Sequence, residues 1–284
     1  MTSATATSIP ASERPITDRI RRFLDRYLLS LYAVLAILYL LLPVAVIALF
    51  SVNDPVGRSN FAWRGFTLKY WLDPLGVPGL ADAVFTSLRI ALLSTVAATA
   101  LGTLIALALV RYRFRASGTA NLLIFLPMAT PEIVLGASLL TMFVAIGRPP
   151  FFPLNELTIL IAHIMFNISF VVVTVRARLA GLDRHLEEAA MDLGATEFVT
   201  FWRITFPLIV PGIMAAALLA FSLSIDDFVI TNFTAGRTVT FPMYIWGAAR
   251  IGIPVQVNVI GTAIFAAAVG LVALSVIVQR RNAR

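Results

Sequence analysis

The chain has 284 residues, of which 59% are hydrophobic and only 13% charged. Soluble domains carry about a quarter of their residues as charges, so a water-soluble globular fold is excluded and lipid is the solvent for most of this chain. The net charge of +7 comes with no basic stripe interleaved with aromatics, which argues against nucleic acid, and the absence of cysteine removes disulfides, thiolate metal sites and cysteine nucleophiles.

Residues 1–27 read as a cytoplasmic lead: a Thr/Ser/Ala tract without periodicity, then Arg14, Arg19, Arg21, Arg22 and Arg26. The apolar run 28–50 is long enough to cross about 30 Å of hydrocarbon and has no small-residue cleavage site, so it reads as a first span rather than a signal peptide, bent by Pro43 near its outer end. Residues 51–80 hold Trp63, Tyr70, Trp71, Pro74 and Pro78, a composition suited to the outer membrane interface. Further spans are predicted at 83–110, 122–146, 157–175, 209–230 and 257–278, which gives six in a membrane domain over 28–278, followed by a tail at 279–284. With the N-terminus inside, 15 basic residues fall on inner segments and six (Arg58, Arg64, Lys69, Arg148, Arg237, Arg250) on outer ones. Arg89 lies near the outer end of the second span and is expected to snorkel outward. That imbalance places both termini in the cytoplasm.

The longest polar interruption lies at about 176–208. Leu182, Leu186, Ala189, Ala190 and Leu193 recur at three- and four-residue spacing, which predicts a short helix with one apolar stripe. Gly194 is suited to end it in a left-handed conformation, and Thr196 to cap a second short helix over 197–205 that Pro207 closes. Helix, glycine elbow and second helix make a compact cytoplasmic knob.

Ionisable groups at membrane depth are costly and default to functional candidates. Glu132 follows Pro127 and Pro131 in the third span, where the helix is expected to loosen; its structural alternative is a satisfied carboxylate at a kink. Asp226 and Asp227 lie in the outer part of the fifth span, about 22 Å beyond Pro211 at 1.5 Å per residue. Adjacent helical residues point about 100° apart, so one aspartate lines a path while the other caps a local break; a solvated helix end is the alternative. Asn167 and His163 in the fourth span read first as interhelical hydrogen-bonding residues, with Asn167 also carried as a path candidate. The two histidines, His163 and His185, sit in different segments, which argues against a metal site. Lys69, the chain's single lysine, has no adjacent glycine, so no phosphate-binding loop is present and any ATPase must be another polypeptide.

The order Glu188-Ala189-Ala190, Gly194, Ile204, Phe206-Pro207 resembles the Glu-Ala-Ala loop of ABC importer permeases, with Phe206 where leucine is usual. The resemblance implies the all-α type I ABC importer permease fold and assigns ATPase coupling to Glu188, Ala189, Ala190, Gly194, Ile204, Phe206 and Pro207. It further implies a second permease subunit, two ATPase subunits that hold ATP and Mg, a periplasmic substrate-binding protein, and residence in a bacterial inner membrane, with no cofactor in this chain. The runs 111–115, 171–175, 193–198 and 223–230 are similar to the C-type permease of spermidine/putrescine importers, and carboxylates along a path favour a cationic cargo. Another small solute (an organic cation, an opine-like amino acid derivative or a phosphonate) and an ion-driven secondary transporter are the competing readings.

Overall fold

The computed structural model describes the backbone of residues 16–282 apart from 58, 113, 114 and 184, and the side chains of 27–270 apart from the same four. The described chain is helical: α1 (Ile16–Phe50), α2 (Lys69–Leu72), α3 (Leu80–Arg111), α4 (Ser117–Ala129), α5 (Glu132–Ile146), α6 (Glu156–Ala180), α7 (His185–Asp192) and α8 (Glu197–Thr200). A π-helical turn (Phe201–Thr205) then leads into α9 (Phe206–Ile225), α10 (Val229–Thr234), α11 (Phe241–Ile251) and α12 (Val255–Asn282). The expected lead lies partly outside the described residues, but 16–27 belongs to α1: the helix starts well before the apolar run. Arginine and leucine are good helix formers, and extending an existing helix adds one hydrogen bond per residue without a new nucleus. For the same reason 279–282, expected as tail, continues α12.

Among the described residues four helices are long and apolar enough to cross a membrane: Tyr27–Phe50, Leu80–Arg111, Glu156–Ala180 and Glu197–Ile225. A fifth crossing is counted if α4 and α5 form one span, but these two are bent by 108° at their junction. The expected single, loosened helix over 122–146 is therefore two helices of 13 and 15 residues. Neither alone reaches about 30 Å at 1.5 Å per residue. Pro131 removes the amide that would continue α4 and pushes Thr130 into extended backbone (φ −80°, ψ 132°).

The chain divides into two compact units, one comprising 1–74 with 254–284 and the other 75–253. In the first, α1 packs with α12, and the segment after α1 is stapled by asparagines. The fully buried Asn53 amide donates to Asn60 Oδ1 at 2.6 Å and to the Ala62 carbonyl at 2.8 Å, while its Oδ1 accepts from the Arg64 amide. Lys69 pairs with Asp54 at 2.6 Å, and the Trp71 indole N–H donates to the Ser51 hydroxyl.

In the second unit α3, α6 and α9 form the core. Ser87, Ala91, Ser94, Ala98, Gly102 and Ala106 of α3 are buried at three- to four-residue spacing, a small-residue seam that lets helix backbones approach closely where lipid offers no hydrophobic drive. Val171, Val172, Val175 and Leu179 of α6 pack into it together with Ile209, Ala216 and Ala220 of α9. A Cβ on Gly102 would stand 2.6 Å from Val171 Cγ1. Two contacts fix α3 and α6 as parallel with a near-constant offset: Gly102 against Val171, and the Arg89–Glu156 ion pair at the other end. Arg89 thus finds a carboxylate rather than only snorkelling. Leu135, Leu139 and Phe143 of α5 pack with Ala162 and Phe166 of α6 and Ile230 of α10.

Candidate functional site

The knob forms as α7, an elbow and α8. Gly194 has φ +88° and nothing stands near the position of its missing Cβ, so left-handed backbone is the requirement there. The Ala195 amide donates to the Ala190 carbonyl at 3.0 Å and the Gly194 amide to that of Met191 at 2.9 Å, which satisfies the helix end. Thr196 caps α8 by accepting from the Val199 amide.

Pro207 does not close the second helix. The chain stays helical from Glu197 to Ile225, because the π turn opens the ladder ahead of the proline: the Phe206 amide donates five residues back, to the Phe201 carbonyl. Phe206, where leucine is usual, packs its ring 4.8 Å from Trp202, which also contacts Phe198 and Phe201.

Only part of the expected apolar stripe is turned inward: Leu182 packs against the α3–α6–α9 core and Ala190 is half-buried. α7 has no buried residue; Leu186, Ala189 and Leu193 are exposed, and the half-buried face carries Glu187 and Ala190. Leu193 is 90% exposed and Phe198 73% exposed. The sequence shows periodicity but not what covers it, and this chain does not. Glu187 is turned inward by Arg111, the last residue of α3. Arg111 Nη2 donates to Glu187 Oε1 at 2.6 Å and to Thr205 Oγ1 at 3.2 Å, and the Thr205 hydroxyl also donates to Glu187 Oε1. Glu188 is exposed, and a cavity of about 250 Å³ opens between it, Arg111, Leu179 and Asp183. In the turn before α7, the His185 amide and ring hold the Asp183 carboxyl below its ordinary pKa, and Asp183 raises that of His185.

A second locus lies where helices break. α9 ends at Asp226, and α10 starts after Asp227 and Phe228. Asp227 accepts from the Thr231 amide at 2.8 Å and from the Thr231 hydroxyl at 2.7 Å, so it caps α10. His163, 3% exposed, stands with Nε2 2.9 Å from Thr231 Oγ1 and 3.3 Å from Asp227 Oδ2. Its Nδ1 lies 2.7 Å from Ser224 Oγ, which is 2.9 Å from Ser94 Oγ. Since the Thr231 hydroxyl donates to Asp227, a ring proton on Nε2 with Nδ1 accepting from the Ser224 hydroxyl satisfies every group. This network joins α3, α6, α9 and α10. Asp226 is exposed. Glu132, at the other break, is exposed, and its helix α5 packs on α10 through Leu135 with Ile230 and Gly136 with Phe233. The two breaks that carry the three sequence-singled carboxylates, nearly a hundred residues apart in the chain, thus adjoin one packed pair of helices, α5 and α10. Asn167 is apart from them in role: it is fully buried, with neither amide atom partnered among the described residues.

Sequence reasoning missed Arg111, Glu187 and Thr205, and the Ser94–Ser224–Thr231 hydroxyls around His163. Thr231 four residues after Asp227 is a readable cap signal; the long-range pairings leave none.

The family profile described as "Binding-protein-dependent transport system inner membrane component" matches residues 98–283. The chain belongs to that family. It is 38% identical over 238 residues to the putrescine transport system permease protein PotI of Escherichia coli, covering 82% of this chain and 84% of that one. It is 35% identical over 243 residues to the spermidine/putrescine transport system permease protein PotC of Escherichia coli, covering 85% and 90%. Among solved structures, it superposes with a TM-score of 0.61 on a bacterial ABC transporter that imports the acidic polysaccharide alginate, over 94% of this chain and 98% of that one at 18% identity. A chain of the MetNI methionine ABC transporter gives 0.54 over 69% and 92%, at 16% identity. The fold of this membrane component is therefore that of ABC importer permeases, and its sequence is homologous to polyamine permeases.

Proposed function

We propose that this chain is one of two non-identical permease subunits of an ATP-driven polyamine importer in a bacterial inner membrane. Six spans are assigned to α1, α3, the bent α4–α5 pair, α6, the helix Glu197–Ile225 and α12, with both termini and the Glu-Ala-Ala knob in the cytoplasm. Two ATPase subunits bind ATP and Mg and grip the knob through Glu188, Ala189, Ala190 and the exposed side chains of Leu193 and Phe198; Gly194, Ile204, Phe206 and Pro207 shape it. A periplasmic binding protein delivers the cargo.

The observation that carries the cargo class is the placement of Glu132 at the start of α5 and of Asp226 and Asp227 just ahead of α10, three carboxylates at two helix breaks beside one packed helix pair. Carboxylates at membrane depth match a cargo of two or three ammonium groups. Asp227 is engaged by Thr231 and His163, so Asp226 and Glu132 are the pair free to meet it, with Asn167, buried on α6 with its amide unpartnered among the described residues, kept as a further path candidate. The names of the relatives support polyamine over other small solutes. The test is spermidine uptake by the whole assembly in proteoliposomes. Asp226→Asn and Glu132→Gln are each expected to slow uptake about tenfold, the equivalent of ~1.4 kcal/mol, while ATPase assembly is kept. Wild-type uptake rates in both variants would defeat the assignment of the path.

A further inference from the structure

α7 offers its own chain no buried side chain, so apolar packing does not fix its orientation against α3. What joins them is polar. Arg111 closes a ring with Glu187 and Thr205, and its guanidinium lies 5.9 Å above the centre of the Phe201 ring. Thr205 is buried and both charged side chains are largely shielded, at 33% and 27% exposure, so the pair is less screened than an open surface bridge. The ring binds three elements: the end of α3, the first turn of α7, and the end of the π turn that leads into α9. The two adjacent glutamates therefore divide their work. Glu188 is left exposed, and Glu187 is anchored inside. Midway along α3 stands Ser94, which meets Ser224 two residues before the helix break at Asp226.

We infer that Arg111, Glu187 and Thr205 are positioning residues that make α7 and α3 one lever, so that movement of the knob passes into the second transmembrane helix as well as into α9. This rests on the coupling role proposed above. It places the transmission outside the Glu-Ala-Ala motif itself.

The test uses the complete assembly in proteoliposomes, scoring cargo moved per ATP hydrolysed and the rise in ATPase rate caused by loaded binding protein. Arg111→Gln and Glu187→Gln are expected to co-purify with their partners and hydrolyse ATP, but to lose cargo per ATP by about fivefold or more. The charge swap Arg111→Glu with Glu187→Arg is expected to recover part of that loss. Unchanged cargo per ATP in both single variants overturns the inference. An Arg–Glu pair spans more than a disulfide reaches, so Arg111→Cys with Glu187→Cys in this cysteine-free chain, beside cysteine-free partners, is closed with a short reversible bis-thiosulfonate linker. Coupling is expected to be low before linking, restored by it and lost again on reduction; complete linking without any gain overturns the inference even where the single variants assemble poorly. A wild-type assembly that moves no polyamine refutes the cargo assignment instead, and the lever is then scored on the binding protein's stimulation of the ATPase.

Discussion

The seam between α3 and α6 and the knob at α7–α8 are held by opposite means. In the seam, shape decides: small side chains on α3 accept the branched side chains of α6, and Gly102 leaves no room for a Cβ beside Val171. In the knob, local backbone chemistry and one polar ring decide, and the large apolar side chains face outward. The seam is built to keep its geometry, while the knob leaves its large apolar side chains uncovered, as the proposed grip by a partner requires. Damage to the first should register as lost stability, and damage to the second as lost coupling.

The largest effect is expected at Asp227, on the network that extends the seam to α10. Asp227→Ala leaves His163 and the Thr231 hydroxyl facing an empty buried position, a loss on the order of 3 kcal/mol. Thermal unfolding in detergent should show a clear drop in midpoint, and an unchanged midpoint would mean that the network stabilises nothing. Next is Gly102→Val, expected to cost about 1–3 kcal/mol by overpacking. Adding Val171→Ala should return part of that loss, and a purely additive double variant would show that the contact is not the cause. Gly194→Ala forces a Cβ into left-handed backbone at about 1–2 kcal/mol, felt as faster proteolysis of the knob with the midpoint of the membrane core little changed. Leu193→Ser with Phe198→Ser should leave stability within about 0.5 kcal/mol while reducing co-purification of the ATPase; a large loss of stability would erase the contrast between the two regions.

The smallest effect is a pH dependence of the turn before α7. Asp183, held below its ordinary pKa, contributes stability that is present above about 3.9 and lost as pH falls through its lowered value. His185, raised above its ordinary pKa, contributes stability that is present below about 6.5 and lost as pH rises through its raised value. The pair is thus fully formed between those ordinary values, and protection of the Leu186 amide from hydrogen exchange should fall toward alkaline pH after correction for intrinsic rates. His185→Ala should flatten that dependence.

The two regions also differ in how much of them the sequence discloses. Gly194 and Thr196 act on their own neighbours, so the elbow and the cap are legible from residue type and spacing. Pro207 misleads because its usual effect assumes an α-helical ladder, and the π turn one step earlier removes the conflict. Pro131 announces an interruption, but its 108° angle goes with the seating of α5 on α10, where Gly136 meets Phe233. The Arg111–Glu187 pair spans 76 positions, and Arg111 reads in the chain only as one more topology charge. Thr231 four positions on marks Asp227 as the capping aspartate in the sequence, but that His163 also takes Asp227 shows only in the fold.

The unbroken helix from Glu197 to Ile225 sets a mechanical condition on any cycle this protein runs. Its 29 residues make a crankshaft about 43 Å long with no slack between the loop at one end and Asp226 at the other. A twist applied at the loop must therefore arrive at the helix break at Asp226, or else be spent at the π turn, which has the loosest rungs of the shaft.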